Sequence, residues 1–149
     1  MLQARIGKVN LPYALIAALI SLVLLLGCSK EVSEVHVAPL IDEYMATLKA
    51  KDYEKLLSFY RDDFFNVQSP GEWIDYLKRI RGTLGEIISV KQKQKQVNTV
   101  FSGRRFIYEY SVKYEKGYAK ETIMFFQEVT SPDIKVQMHK IESPLLHNK

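Results

Sequence analysis

The sequence predicts an α+β domain in which three helices precede four antiparallel strands. Up to Leu84, apolar residues recur at spacings of three and four, as on one face of a helix. After Gly85 they alternate with a period of two, as in a half-buried strand. A run of helices followed by a run of strands favours helices packed on one face of an antiparallel sheet.

The first two helices are predicted from apolar spacing and from the residues that start them. Helix one should begin at Pro39, because proline suits the first turn of a helix. Its apolar face comprises Leu40, Ile41, Tyr44, Met45 and Leu48. Asp52 is expected to cap helix two, whose apolar residues are Tyr53, Leu56, Leu57 and Tyr60.

Helix three has the clearest local signals of the three. Ser69 and Glu72 match a capping box, with Pro70 at the first helical position. Trp73, Leu77, Ile80 and Leu84 then form an apolar stripe. Gly85 stands where a left-handed C-terminal cap favours glycine, so the helix should end there.

The strands follow from alternation and from turn residues. We expect them at 87–101, 104–114, 118–129 and 134–142, with turns at Lys116-Gly117 and Ser131-Pro132-Asp133 and a loose tail at 143–149. In the second strand Phe106, Tyr108, Tyr110, Val112 and Tyr114 share one face. That face should pack on the helices.

Length and composition exclude several classes of protein. The chain has 149 residues, one cysteine and a net charge of +4. One cysteine excludes an internal disulfide and a metal site built from several thiolates. The small net charge argues against a nucleic-acid partner. A hydrophobic content of 47% is typical of a globular chain, and the length predicts one domain.

The first 27 residues have the pattern of a signal peptide. Arg5 and Lys8 precede a largely apolar run from Leu11 to Leu26. The run ends in Leu25-Leu26-Gly27-Cys28, which resembles the lipobox of bacterial lipoprotein precursors. The resemblance implies cleavage before Cys28, lipidation of its thiol and a lipidated tether over residues 28–38. The alternative is an uncleaved membrane anchor, although a span of about 20 apolar residues would be usual.

The lipobox resemblance also implies a location. The residue after Cys28 is Ser29, which lacks the carboxylate that favours inner-membrane retention in enterobacterial lipoproteins. In a cell with two membranes the protein is therefore expected on the periplasmic face of the outer membrane. In a cell with one membrane it is expected on the outer face of the plasma membrane.

A second resemblance concerns the domain at residues 39–142. The segments Ala50-Lys51-Asp52-Tyr53 and 57–64 resemble the second-helix passage of the nuclear transport factor 2-like superfamily, which includes ketosteroid isomerases and SnoaL-like cyclases. Residues 118–122 and the short last strand resemble its small envelope lipoproteins. The resemblance implies a cone-shaped fold, nuclear transport factor 2-like or cystatin-like, in which a curved sheet wraps around the helices and often encloses a pocket. It also implies a possible homodimer through the sheet.

Glu121 is the candidate for chemistry. If Lys116-Gly117 is a two-residue loop, Tyr110 faces Ile123, Tyr108 faces Phe125 and Val112 faces Glu121. The carboxyl of Glu121 would then lie among aromatic residues, as a general base in an isomerase-like pocket would. The alternative is that Glu121 pairs with a lysine or lies at the open rim, and a longer loop would turn it outward.

Other residue sets have a functional and a structural interpretation. A ligand cavity could be lined by Tyr44, Tyr60, Trp73, Tyr108 and Tyr110, although aromatic residues at these spacings are more often plain core. His36, His139 and His147 have no metal-ligand spacing, so no metal or cofactor is expected and solvated or locally bonded histidines are the better interpretation. Lys91, Lys93 and Lys95 could form a basic stripe toward anionic lipid or glycan, or an aggregation-resistant sheet face.

The sequence therefore predicts a non-enzymatic envelope lipoprotein that is anchored through Cys28. Its domain would bind a small apolar ligand or an envelope protein through the concave sheet face. Two alternatives remain at this point. One is an isomerase-like or cyclase-like enzyme with Glu121 as base, and the other is a structural subunit of an envelope assembly.

Overall fold

The helices form the first half of the domain. The computed structural model describes residues 37–146, so Cys28, the predicted signal peptide, His36 and His147 lie outside the described residues. Helix α1 spans Val37–Ala50, α2 spans Tyr53–Leu57, and α3 spans Pro70–Leu84. A short 3-10 helix, Asp62–Asn66, separates α2 from α3.

The predicted N-terminal caps of α2 and α3 are confirmed, whereas α1 begins at Val37, two residues before the predicted start at Pro39. The Asp52 side chain accepts a hydrogen bond from the Lys55 N–H at the start of α2. At α3, Ser69 accepts from the Glu72 N–H and the Glu72 carboxylate accepts from the Ser69 N–H, which completes the capping box. Gly85 ends α3 with a positive φ of 84°, which favours glycine, but its ψ of −162° differs from that of the predicted left-handed cap.

The four strands form one antiparallel sheet in sequence order. They are β1 Ile87–Val100, β2 Gly103–Tyr114, β3 Gly117–Glu128 and β4 Ile134–Glu142. The α+β class, with helices preceding an antiparallel sheet, is confirmed. The aromatic face of β2 is buried as predicted, from Phe106 to Tyr114. We call this the inner face of the sheet, since it packs against the helices, and the opposite side the outer face.

The α1 and α3 helices bury their apolar stripes against the inner face. Tyr44 of α1 lies edge-on to Phe125 of β3, and Trp73 of α3 lies edge-on to His139 of β4. Leu48, Leu77 and Leu84 belong to the same buried cluster. Full burial of one large apolar side chain contributes about 1.5–3 kcal/mol, so these contacts account for much of the helix packing.

The hairpin between β2 and β3 differs from the predicted register by two residues. The two-residue turn is Glu115-Lys116, and β3 begins at Gly117, which pairs with Tyr114. Backbone hydrogen bonds anchor the turn, because Glu115 N–H donates to the Glu86 carbonyl and Lys116 N–H donates to that of Leu84. Those long-range contacts select the turn, and the sequence pattern does not show them.

Strand β1 contradicts the prediction that three lysines share one face. Lys91 pairs with Ser111 on the outer face, whereas Lys95 pairs with Tyr108 on the inner face. Lys93 lies between them in a β-bulge, where the register shifts between Gln92 and Gln94. The extra residue of a bulge reverses the alternation, so the predicted basic stripe does not form.

The segment after β4 is packed where the structure describes it, which differs from the predicted loose tail. Ser143 is buried, and its hydroxyl donates to the Tyr118 carbonyl. Pro144–Leu146 form a 3-10 turn, and Leu146 packs against the core cluster. Residues 147–149 lie outside the described part. Within residues 37–146, the helices are too short or too polar to cross a membrane.

Candidate functional site

Glu121 lies on the inner face, as predicted, but opposite a different residue. It pairs with Tyr110 rather than Val112, while Tyr108 pairs with Ile123 rather than Phe125. A register change of two residues preserves the face, because side chains alternate with a period of two. The side chain of Glu121 is completely buried, so neither a rim position nor an outward orientation applies.

A chain of buried hydrogen bonds surrounds this carboxylate. The Tyr114 hydroxyl donates to Glu121 Oε1 at 2.5 Å, and His139 Nε2 lies 3.0 Å from Glu121 Oε2. On the other side of the imidazole, His139 Nδ1 lies 2.8 Å from the Tyr44 hydroxyl. The Tyr60 hydroxyl is 2.6 Å from that of Tyr44. We call these five residues the buried polar network.

One arrangement of protons satisfies every group in the network. Tyr60 donates to Tyr44, Tyr44 donates to His139 Nδ1, and His139 Nε2–H donates to the Glu121 carboxylate, which also accepts from Tyr114. A neutral imidazole has one donor and one acceptor nitrogen, as this arrangement requires. The network therefore joins α1, the segment after α2, β2, β3 and β4 without an unpaired hydroxyl.

Burial shapes the electrostatics of the tyrosines. Burial raises the pKa of Tyr44 well above its usual value, and the adjacent Tyr60 hydroxyl raises it further. Burial also raises the pKa of Tyr114, and the Glu121 carboxylate adds to that effect by repelling a phenolate. Burial raises the pKa of Tyr60, although its hydrogen bond with Tyr44 acts in the opposite direction. These hydroxyls therefore remain protonated at neutral pH.

The sequence analysis did not identify His139 and Tyr114 as site residues. A β-bulge between Val136 and Met138 reverses the alternation of β4 and turns His139 to the inner face. Its imidazole is completely buried. Tyr114 was placed on the correct face, but its contact with Glu121 depends on the hairpin register. Of the two predicted alternatives for His139, solvated or locally bonded, the solvated one is wrong, because the buried imidazole is hydrogen-bonded to Tyr44 and Glu121.

The six predicted pocket residues separate into two groups. Tyr44, Tyr60, Trp73 and Glu121 lie together in and around the buried polar network, with Trp73 edge-on to Tyr60 and stacked on Tyr76. Tyr108 and Tyr110 take no part in that network, although Tyr110 is the cross-strand neighbour of Glu121, and they stack on each other at 6.2 Å between ring centroids. The sequence placed all six around one cavity, and the structure divides them.

Tyr108 and Tyr110 line an open cleft of about 390 Å³ between α1 and the inner face. We call it the α1–β1 cleft. Helix α1 contributes one wall, and β1 and β2 contribute the other. Its lining residues are Ala38, Ile41, Asp42, Met45, Val90, Gln92, Lys95, Tyr108 and Tyr110. Apolar side chains therefore meet a small number of polar ones, which is the composition of many ligand sites.

Tyr110 is the unusual member of this cleft. Its side chain is 5% exposed, and its hydroxyl has no hydrogen-bond partner among the described residues. Burial raises the pKa of Tyr110, and the negative charge of Asp42 acts in the same direction. A buried hydroxyl without a partner loses about 1–3 kcal/mol of hydrogen bonding to water. A bound molecule with an acceptor atom would restore that bond.

Three other clefts lie elsewhere on the domain. One of about 530 Å³ lies beside the Arg61–Asp63–Glu128 ion pairs, one of about 690 Å³ lies between α3 and Leu145-Leu146, and one of about 580 Å³ lies near Phe101. Glu121 lines none of these four clefts within residues 37–146. The described residues contain no group of three or more histidine, cysteine or acidic side chains positioned to hold a metal ion.

Comparison with known proteins adds a fold-level similarity. The scan against protein-family models and the search of curated proteins produced no match. Among solved structures, the chain is similar to one titled "Structure of Bdellovibrio bacteriovorus Bd1075", with a TM-score of 0.51 and 15% sequence identity. The match covers 71% of this chain and 38% of the other, so this chain matches less than half of its neighbour's length. At this identity the similarity concerns the fold alone.

Proposed function

We propose that the protein is a non-enzymatic, lipid-anchored envelope protein that binds a small amphipathic ligand in the α1–β1 cleft. One observation carries the binding part of this proposal: Tyr110 lines the cleft with a buried hydroxyl that lacks a partner. The ligand would have an apolar body for Ile41, Met45 and Val90, and an acceptor atom for Tyr110. The apolar walls, the stacked rings and the one unused donor of the cleft support binding of an amphipathic ligand.

The anchor is proposed from the sequence. The apolar run ending in Leu25-Leu26-Gly27-Cys28 supports lipidation of Cys28 and transfer of the domain to the outer side of a membrane. Several acyl chains hold a protein firmly, since each buried CH2 contributes about 0.8 kcal/mol. The location on the outer membrane, in a cell with two membranes, belongs to the same proposal.

The finer fold assignment is also a proposal. Helices followed by a four-stranded antiparallel sheet support membership of the nuclear transport factor 2-like superfamily, and so do the segments from Ala50 to Phe64. In that superfamily the concave sheet face commonly carries the pocket. The α1–β1 cleft lies on the inner face of the sheet, which would be that concave face if the assignment is correct.

Binding is favoured over catalysis because of the state of Glu121. A general base must lie within hydrogen-bond reach of the substrate proton that it takes. Both carboxylate oxygens of Glu121 already accept hydrogen bonds, from Tyr114 and from His139. The side chain is completely buried, and none of the four clefts within residues 37–146 reaches it. A structural subunit of an envelope assembly has no observation in its favour beyond exposed surface.

One experiment tests the anchor and the cleft together. The full chain would be purified from its own membranes in mild detergent and examined by native mass spectrometry. We expect a covalent acyl mass that disappears in Cys28→Ser, because the thiol is the acylated atom. We also expect a bound small molecule that disappears in Val90→Trp, since an indole at Val90 would fill the cleft.

Ile88→Trp provides the matched control. Ile88 and Val90 are both exposed aliphatic residues of β1, but Ile88 does not line the cleft. Retention of the ligand by Val90→Trp, or equal loss from both variants, would contradict binding in the cleft. An acyl mass that persists in Cys28→Ser would contradict the anchor.

A further inference from the structure

Among residues 37–146, strand β1 is an open sheet edge, whereas the opposite edge is bridged at Val136. The sheet order places β1 and β4 at the two edges. At β4, the Val136 N–H donates to the Phe59 carbonyl and the Arg61 N–H donates to the Val136 carbonyl, so residues 59–61 run along that edge as a parallel bridge. Among the described residues, β1 has β2 as its one strand neighbour. Within the described part of the chain, the backbone groups on its other side have no strand partner and could pair with an added strand.

The length and exposure of β1 are not explained by core packing. The strand has 14 residues, yet residues 88–96 are exposed on both faces. Strands of globular proteins have a typical length of about five or six residues. Val90 and Val97 remain 38% and 41% exposed on the inner face. The strand thus extends well beyond what the helices cover.

The charge of β1 has one sign. Its ionisable side chains are Lys91, Lys93 and Lys95, and it has no carboxylate. A second copy of the chain paired antiparallel along this edge would bring lysines together, which disfavours self-association. An acidic segment would instead place carboxylates beside the lysines.

The β-bulge distinguishes a strand from a flat anionic surface. Because Lys91 projects on the outer face and the Lys95 ammonium lies over the inner-face Tyr108 ring at 5.9 Å, one plane cannot meet both. A strand added along the edge projects alternate side chains to both faces of the sheet. It can therefore approach lysines on either face, which a bilayer cannot.

We propose that β1 docks an extended acidic segment of a partner protein by strand addition, with carboxylates beside Lys91 and Lys93 and apolar side chains beside Val90 and Val97. Backbone hydrogen bonds would provide affinity, and the alternating side chains would provide specificity. This surface follows the strand edge and shares Val90 with the α1–β1 cleft, but Lys91, Lys93 and Val97 do not line that cleft.

The test uses the full chain in a non-ionic detergent and a fluorescein-labelled peptide of about eight alternating glutamate and valine residues, enough to span the exposed part of β1. Fluorescence anisotropy should show saturable binding. Hydrogen exchange should show new protection within residues 88–97. A peptide of the same sequence with every backbone amide N-methylated keeps the charge but cannot donate a backbone hydrogen bond from either edge, so it should not bind.

Matched lysine variants complete the test. Lys91→Gln with Lys93→Gln should weaken binding by at least about fivefold, because two rim charges are lost. Lys49→Gln with Lys140→Gln, which makes the same change of charge away from β1, should have no comparable effect. Equal binding of the N-methylated peptide, absence of saturable binding, or a Lys91- and Lys93-dependent affinity for anionic phosphatidylglycerol vesicles alone would overturn the proposal.

Discussion

Glu121 illustrates which properties of a single residue can be predicted from a sequence. The alternation of β3 predicted its face correctly, because a register error of two residues leaves the face unchanged. Its partners could not be predicted in the same way. Tyr114 and His139 reach it through a turn held by long-range backbone contacts and through a bulge in β4. Neither feature has a signal in the apolar pattern.

The network makes Glu121 important for stability, since removal of the carboxylate leaves two buried groups unpaired. We expect Glu121→Leu to lower the free energy of unfolding by about 3 kcal/mol, because Tyr114 and His139 each lose a hydrogen-bond acceptor. Urea unfolding at neutral pH measures this change.

Glu109→Leu is the control for that substitution. Glu109 lies on the outer side of β2 and pairs with Lys120, where half-exposed ion pairs contribute little. Its loss should change the free energy of unfolding by less than about 1 kcal/mol. Equal losses in the two variants would mean that the buried polar network does not stabilise the fold.

At the scale of elements, local chemistry predicted the helix ends and long-range pairing decided the strands. Ser69, Asp52 and Gly85 act on backbone groups within a few residues, so a sequence pattern contains the whole interaction. The bulges at Lys93 and between Val136 and Met138 depend on the neighbouring strand instead. Each bulge exchanged the faces of the residues beyond it. The predicted lysine stripe was lost and His139 was turned inward for the same physical reason.

The end of α1 contains a residue in an unfavourable backbone conformation. Lys51 has a φ of 62°, and the backbone N–H groups of Lys51 and Asp52 donate to the carbonyls of Leu48 and Thr47. This is the pattern of a Schellman motif, whose left-handed position favours glycine. Here the left-handed position is occupied by Lys51, whose ammonium pairs with Glu86 on the surface.

We expect Lys51→Gly to be more stable than Lys51→Ala by about 1 kcal/mol. Both variants lose the ion pair with Glu86, so the comparison isolates the left-handed conformation. Thermal and urea unfolding of the two variants measure the difference. A more stable Lys51→Ala would show that the end of α1 relaxes to a right-handed conformation.

On the scale of the whole molecule, the domain contains two distinct polar features, the buried polar network and the α1–β1 cleft. The buried polar network cross-links helices and strands through buried side chains, whereas the α1–β1 cleft is open and contains an unused donor at Tyr110. The sequence identified most of the aromatic residues of both but could not separate them, because α1 supplies Tyr44 to one and Ile41 to the other. Ile41 and Tyr44 are only three residues apart on α1, but the way the helix packs on the sheet places them in different sites.

The buried tyrosines together predict how the fold responds to alkaline pH. The pKa values of Tyr44, Tyr60 and Tyr114 are raised in the folded protein, so the folded state binds more protons than the unfolded state once pH passes the ordinary tyrosine value. Stability from this source is fully present below about pH 10 and falls as pH rises further, by up to about 1.4 kcal/mol per pH unit for each tyrosine.

Urea unfolding at a series of alkaline pH values, followed by the ultraviolet absorbance of tyrosinate, measures that slope. Tyr114→Phe removes one buried hydroxyl and should reduce the slope by the contribution of about one proton. Tyr118→Phe removes a hydroxyl from a ring that is 59% exposed and should leave the slope close to that of the wild type. The same slope in all three proteins would show that the tyrosines of the network ionise without unfolding. In that case water reaches the network, and its hydroxyls are more accessible than their burial indicates.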